Sequence, residues 1–256
     1  MTTWDAGHYL QFGGERTRPA ADLAARVGVN HPETVIDLGC GPGNSTQVLR
    51  RRWPDAHITG LDSSPEMIAA ARARYPEQAW VLARAEEWSP PAPVDVVFSN
   101  AALQWIGDHS RLVSHLFAQL AGGGALAFQI PSRSYSAVRA HIHEVADDAA
   151  WCERTQAAKG ALTMEEPSYY YEALSDQARW LDIWETEYIH VMDSPSSILD
   201  WMSSTGLRPF LNALDTDGER QRFVDLLRAR VAESYPRQRN GKVLFPFRRL
   251  FVVAYR

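Results

Sequence analysis

Cysteine is nearly absent: Cys40 and Cys152 are the only two among 256 residues. Two thiols so far apart give no disulfide framework, so the fold rests on a buried apolar core, which a chain of this length can form. Long apolar runs are missing too. None approaches the roughly 20 residues that a membrane span requires. The N-terminal stretch carries Asp5, His8 and Glu15 and has no apolar core of about 7–15 residues of the kind a secretion signal needs. Together these absences lead to an expectation of the cytoplasm, with no membrane partner. Positive charge is in deficit, 26 Lys and Arg against 31 Asp and Glu, for a formal net charge of -5. That disfavours a nucleic-acid backbone as partner, but a small anion needs only a local basic pocket. Gly-x-Ser-x-Gly is absent. No Cys or carboxylate set with zinc-ligand spacing accompanies the histidines, and His141 and His143, two apart on a helix, point to opposite faces. No metal is expected. With 45% hydrophobic and 22% charged residues the composition is that of a single globular domain carrying insertions.

What the chain does have is Val35-Ile36-Asp37-Leu38-Gly39-Cys40-Gly41-Pro42-Gly43. It reads as a buried strand, a tight turn and, from Asn44, a helix N-terminus. Glycines at alternate positions let the backbone approach a bound molecule, since no Cβ intervenes. Ile58 to Asp62 reads as a second strand ending in a carboxylate, the position that meets ribose hydroxyls in doubly wound folds. Spacing narrows the ligand. A dinucleotide fingerprint would require glycine at position 44, which is Asn44, and a P-loop would require a lysine that is not there. A sulfonium cofactor carries no phosphate and needs neither. Asp37-Leu38-Gly39-Cys40-Gly41-Pro42-Gly43 resembles motif I of the class I S-adenosylmethionine-dependent methyltransferases. That resemblance implies an α/β fold with a Rossmann-like, doubly wound, mostly parallel seven-stranded sheet and a helical cap insertion. It also implies S-adenosylmethionine as cofactor, and it matches Asp62 to the family's ribose-binding acid.

In chain order, Ala20 to Val27 predicts a helix stopped by Gly28, within an N-terminal segment of residues 1–30. Trp4, Tyr9 and Phe12 read as an arm packed on the core or as a lid over the cofactor, and Arg16 as a partner for the cofactor's carboxylate or as a solvated helix-entry arginine. Ser64, Pro65 and Glu66 form a helix start, so Ser63 can touch adenine only through backbone. A third strand, 79–83, ends at Arg84, where the family has an aspartate. Adenine recognition then falls to Glu86 or to the Ala85 and Glu86 backbone. Val94 to Asn100 is the fourth strand. Asn100, Gln104 and Trp105 follow its exit and are placed to line the reacting side. After a helix over 110–120 and the glycines 122–124, Ala125 to Pro131 is the fifth strand. Residues 132–168 and 192–240 are helical insertions, the latter with helices over 196–214 and 219–233. A strand over 182–191 and a hairpin-like last strand, 243–245 with 249–254, complete the sheet.

Several further segments are similar to one group within the class, the trans-aconitate 2-methyltransferases. They are Trp4-Asp5 with Tyr9-Leu10 and Phe12, Glu15 to Pro19, Asn100-Ala101 with Gln104-Trp105, Asp182 to Thr186, Thr205 to Phe210, and Phe247 to Ala254. The resemblance implies methyl transfer to a carboxylate of trans-aconitate, a small polycarboxylate. The alternative is an O- or C-methyltransferase acting on another small metabolite. Arginine's planar fork suits carboxylates. Of Arg133, Arg208, Arg248 and Arg249, the first and third are expected to hold the acceptor together with Tyr9, Gln104 and Trp105. Asp37, Gly39, Cys40, Gly41, Asp62, Ser63, Ala85, Glu86, Asn100 and Arg16 are expected on the cofactor side. A carboxylate acceptor is already ionised at neutral pH, so no catalytic base is expected, only positioning by Gln104 and Trp105.

Overall fold

The computed structural model describes residues 13–134 and 136–256. Strand and helix alternate through α1 (Gly13–Arg26), β1 (Thr34–Leu38), α2 (Asn44–Arg52), β2 (His57–Asp62), α3 (Pro65–Arg74), β3 (Ala79–Leu82) and β4 (Val94–Asn100). A 3-10 turn, Leu103–Trp105, leads into α4 (His109–Ala118) and β5 (Leu120–Pro131). Then come α5 (Ala137–Ala146), α6 (Cys152–Lys159), α7 (Pro167–Leu174) and β6 (Trp180–Met192). The chain finishes with α8 (Pro195–Ser203), α9 (Arg208–Asn212), α10 (Asp217–Ser234) and β7 (Val243–Tyr255).

The seven strands form one sheet in the order β3-β2-β1-β4-β5-β7-β6. The pairs β1–β2, β1–β4, β2–β3 and β4–β5 are parallel, and β5–β7 is antiparallel. This is the α/β, doubly wound arrangement expected from the sequence. Parallel strands are covered on both faces, which is why β1 and β4 are buried almost throughout rather than on alternate residues. Strand order reverses at β1, with β2 and β3 to one side and β4 and β5 to the other. The loops leaving β1 and β4 therefore emerge side by side at the carboxyl edge, where open α/β sheets bind ligands.

Internal contacts divide the chain into two units. One runs up to Ser132 and takes in 163–186 and 249–256; the other comprises 133–162 and 187–248. These bounds differ from the insertions read as 132–168 and 192–240. Helix α7 belongs to the first unit, where Tyr170 and Leu174 join Leu112, Val113, Leu116 and Phe117 of α4 in the core against β4 and β5. The second unit has its own apolar centre, with Ile142, Trp151, Trp201, Phe210, Phe223, Val231 and Phe245 all buried. There the Trp151 indole N–H donates to the Val145 carbonyl at 2.7 Å. Helix α10 opens with a complete capping box, Thr216 and Glu219.

Four local expectations are corrected. Helix α1 begins at Gly13 rather than after Pro19, so the proline lies inside it. A proline there removes one backbone donor, a cost set against the burial of Ala20, Leu23 and Ala24. The glycines 122–124 lie within β5, whose register with β4 breaks between Val94 and Val96. A Cβ on Gly124 would stand 2.8 Å from the Asp95 carbonyl oxygen, so the detour demands glycine. The helix expected over 196–214 stops at Ser203, where Ser203 and Ser204 hydroxyls donate back to the Asp200 and Trp201 carbonyls, and resumes at Arg208. The last strand is continuous through Pro246, which is exposed, as proline in a strand must be. No described helix is long and apolar enough to cross a membrane.

Candidate active site

The glycine loop is wired from both sides. The Gly39 and Cys40 backbone N–H groups both donate to the Leu61 carbonyl, at 2.7 and 3.0 Å, which closes the turn onto β2. Gly39, Gly41 and Gly43 all have positive φ, 67°, 55° and 92°. The three glycines face different surroundings. A Cβ on Gly39 would fall 2.1 Å from the Ala102 Cβ, so here the loops after β1 and β4 touch. A Cβ on Gly43 would strike the Trp80 ring at 2.7 Å. A Cβ on Gly41 would meet no described atom within 4 Å apart from its chain neighbours. The loop is therefore packed at its ends and open at Gly41, where a backbone without a side chain can face a ligand.

Two aspartates hold this loop. Asp37 is wholly buried beneath it, and its Oδ2 accepts from the Ser45 hydroxyl at 2.7 Å and the Thr46 hydroxyl at 2.6 Å. Burial pushes its carboxyl up to about 7, against the opposing pull of the Thr46 and Ser45 hydroxyls. In this position Asp37 acts on a ligand only through the loop it fixes. Asp62, at the end of β2, accepts from the Gly41 N–H through Oδ2 at 2.9 Å and from the Ser64 N–H through Oδ1 at 2.8 Å. Burial raises its pKa despite the Ser64, Gly41 and Ser63 N–H groups. A carboxylate oxygen can accept more than one bond, so both Asp62 oxygens can still receive a ligand hydroxyl. Ser63 is exposed between Asp62 and the Ser64 cap, whose hydroxyl accepts from the Met67 N–H as expected. The Cys40 thiol is buried in a small cluster with Ile68, Ala71 and Trp80, so this residue offers a ligand only backbone.

At the end of β3, the Ala83 N–H donates to the Asp62 carbonyl at 3.0 Å. Arg84 pairs with both Glu86 and Glu87. The arginine standing where the family has aspartate thus engages the Glu86 carboxylate, next to the buried Ala85.

Beyond β4 the chain turns sharply: Ala101 has φ 55°, a left-handed conformation that a residue with a Cβ adopts at a cost. The Gln104 amide N–H donates to the Ala101 carbonyl at 2.6 Å, while its Oε1 is buried without a hydrogen-bond partner among the described residues. His109 secures this 3-10 turn from below. Its Nε2 donates to the Leu103 carbonyl at 2.9 Å, which leaves Nδ1 to accept from the Tyr170 hydroxyl. Burial lowers the His109 pKa. Trp105 is half-buried beside Gln104. The Asn100 Oδ1 accepts from the Gln129 amide at 2.6 Å, and the Gln129 Oε1 accepts from Arg249 at 3.1 Å. Gln129 was not singled out from the sequence. Its only signal was a polar residue inside an otherwise apolar buried strand.

The other expected site residues stand as follows. Tyr9 lies outside the described residues, as do Trp4 and Phe12, and Arg16 is described only as a position on α1. Arg133, which is exposed, and Arg248 belong to the second unit. The Arg133 carbonyl accepts from Arg139 at 2.8 Å, and the Arg248 guanidinium pairs with Glu187 at 3.3 Å. Of the last strand's two arginines, the exposed one is Arg248; Arg249 is turned inward, 4% exposed. His141, on α5, contacts Glu144 and Ser234, and His143 packs edge-on against Phe210. Among the described residues no three His, Cys, Asp or Glu side chains stand together as a metal site.

Comparison with known proteins agrees with this geometry. The family model described as "Methyltransferase domain" matches residues 12–210. A protein named trans-aconitate 2-methyltransferase from Azoarcus sp. (strain BH72) is 43% identical over 256 residues, covering all of both chains. One of the same name from Klebsiella pneumoniae (strain 342) is 45% identical, covering 99% of this chain and 98% of its own. Among solved structures, the YcgJ protein of Bacillus superposes with TM-score 0.61 at 12% identity, covering 93% of this chain and 98% of that one. The Haemonchus contortus phosphoethanolamine N-methyltransferase 2, solved with S-adenosylhomocysteine, superposes with TM-score 0.62 at 14% identity, covering 98% of this chain and 57% of that one. At such identities the likeness is one of fold.

Proposed function

The chain belongs to the trans-aconitate 2-methyltransferase family, and from that premise we propose that it transfers a methyl group from S-adenosylmethionine to a carboxylate of trans-aconitate or a similar small polycarboxylate. The products are a monomethyl ester and S-adenosylhomocysteine. One observation carries the cofactor half of this reading. The open cradle above Gly41 lies beside the Asp62 carboxylate, which holds the Gly41 N–H and keeps acceptor capacity for two ribose hydroxyls. Neither an anion-binding lysine nor a third fingerprint glycine is present, which suits a sulfonium ligand without phosphate.

We assign the roles as follows. Asp62 holds the ribose, and the backbone of Gly39, Cys40 and Gly41 faces the methionine moiety, with Asp37 keeping that loop in shape from below. Ser63, Ala85 and Glu86 present backbone to the adenine. Arg16 is assigned to the cofactor's carboxylate by chemistry alone. Asn100, Gln104 and Trp105 border the reacting side, and Arg133, Arg248 and Tyr9 take the acceptor's carboxylates. When bound, the cofactor supplies an electrophilic methyl on a sulfonium centre. The protein's share is to hold a carboxylate oxygen in line with it and keep water away; such positioning contributes up to about 7–11 kcal/mol in favourable cases. No residue has to remove a proton, because a carboxyl of pKa about 4 is ionised at neutral pH. We propose the cytoplasm as the compartment of this reaction.

Incubation with methyl-labelled S-adenosylmethionine and a panel of di- and tricarboxylates tests this. The expected result is label in trans-aconitate as a base-labile ester. Label appearing only in a phenol, an amine or a carbon acid would overturn the acceptor assignment. Binding of S-adenosylhomocysteine without turnover on any acceptor would overturn the activity.

A further inference from the structure

Three polar side chains cross the sheet in a row: Arg249 on β7, Gln129 on β5 and Asn100 at the exit of β4. The register requires it. Asn100 stands opposite Gln129 across the β4–β5 pair, and Gln129 opposite Phe251, two residues from Arg249, across the β5–β7 pair. Positions two apart on a strand share a face, so all three lie on the same side of the sheet. Gln129 and Arg249 are buried; Asn100 is half-exposed where the strand leaves the sheet.

The chemistry gives this row a direction. An amide can be placed either way round, but a guanidinium has donors only. Arg249 must therefore meet the oxygen of Gln129, and the Gln129 amide nitrogen then points the other way. That nitrogen can only donate, so it meets the oxygen of Asn100. What remains of Asn100 is its NH2, which has no hydrogen-bond partner among the described residues, held at the carboxyl edge beside the strained Ala101 turn. From this we infer that Arg249 is a positioning residue whose donor-only chemistry, passed through Gln129, locks Asn100 as a hydrogen-bond donor toward a ligand carboxylate. A reversed Asn100 would offer a carbonyl oxygen and repel that carboxylate. The inference rests on the proposed reaction for its ligands, which bring two sources of carboxylate: the polycarboxylate acceptor and the methionine part of the cofactor.

Substitution of the middle residue tests the direction. Gln129→Glu still accepts from Arg249 but has no N–H for Asn100, so Asn100 is freed to turn its own NH2 toward the new carboxylate. Affinity for S-adenosylhomocysteine by calorimetry and KM for trans-aconitate are measured on the full chain. A rise of about tenfold or more in KM with cofactor affinity unchanged assigns the acceptor's carboxylate; the same loss in cofactor affinity with KM unchanged assigns the cofactor's. No change in either constant, in a folded variant, overturns the inference. A second pair covers the case in which Gln129→Glu does not fold. Arg249→Lys keeps a donor-only cation, whereas Arg249→Met keeps bulk without a donor. The lysine variant is expected to retain most of the wild-type constants and the methionine variant to lose them. Equal behaviour of the two would show that Arg249 only fills space and would overturn the inference. Should wild type transfer no methyl to any carboxylate, the acceptor reading fails separately, and the cofactor affinity of these variants still decides the direction of the row.

Discussion

The loop region after β1 and β2 and the arginines assigned to the acceptor are built on opposite plans. The loop holds its shape by backbone and buried bonds: two N–H groups on one carbonyl, a buried aspartate under two hydroxyls, and glycines whose missing side chains leave room for neighbouring groups. The arginines are exposed or paired on the second unit, Arg133 at its first residue and Arg248, 45% exposed, against Glu187. On the proposed function, the ligand common to a large class is met largely by main chain, which side-chain substitution scarcely alters, with Asp62 and Arg16 as side-chain partners. On the same proposal, the ligand peculiar to one family is met by side chains, which substitution alters freely. The first plan predicts that disturbance breaks folding or cofactor binding, the second that it changes KM and little else.

The largest expected effect separates two glycines of one loop. In Gly39→Ala the new Cβ would lie 2.1 Å from the Ala102 Cβ on a backbone with φ 67°. Left-handed strain of about 1–2 kcal/mol adds to overpacking of about 1–3 kcal/mol. The thermal midpoint is expected to fall by roughly 5–15 °C. Gly41→Ala has only the strain, because nothing stands within 4 Å of the added methyl. It should fold nearly normally and lose affinity for S-adenosylhomocysteine by tenfold or more. Unchanged affinity in a folded Gly41→Ala protein would remove the cradle from the cofactor site.

Next comes Asp37, through pH. Its folded carboxyl titrates near 7 because it is buried, whereas the unfolded one titrates near 3.9. Between those values the folded chain keeps a proton that the unfolded chain has released, so its contribution is fully present below pH 4 and is lost as pH rises toward 7. The difference is at most on the order of 4 kcal/mol. Asp37→Asn, a neutral stand-in that still offers an oxygen to Ser45 and Thr46, should remove that slope. Urea unfolding at pH 4, 5.5 and 7 compares the two proteins, and parallel curves would show that burial does not govern this group.

How far each region could be read from the sequence follows from the same division. Motif I, the Asp62 strand end, the Ser64–Pro65 helix start and the β4 bounds Val94–Asn100 were all legible, because each is a local pattern of backbone need and apolar run. Asp37 was seen as a motif residue, but not that its carboxylate is sealed beneath the loop; that depends on the two hydroxyls eight and nine residues on. The Arg249–Gln129–Asn100 row was not legible at all, since its bonds span 120 and 29 residues. Which last-strand arginine turns inward was set by the register of β7 against β5. Reading the last strand as a hairpin-like pair, 243–245 with 249–254, hid the continuous strand that fixes this register.

The smallest expected effect lies with Arg248 and is the sharpest test of the second plan. Its ion pair with Glu187 is half-exposed on both sides, and such pairs contribute about 0–1 kcal/mol to stability. Neither Arg248→Ala nor Glu187→Gln should therefore move the thermal midpoint by more than a few degrees. Their effects on the acceptor should be opposite. If Arg248 binds a substrate carboxylate, Glu187 competes for the same guanidinium. Arg248→Ala should then raise KM for trans-aconitate several-fold, and Glu187→Gln should lower it, with affinity for S-adenosylhomocysteine constant in both. A Glu187→Gln enzyme whose KM rises alongside that of Arg248→Ala would mean that the pair acts as a structural clasp, and the acceptor's second arginine would have to be sought elsewhere in the unit.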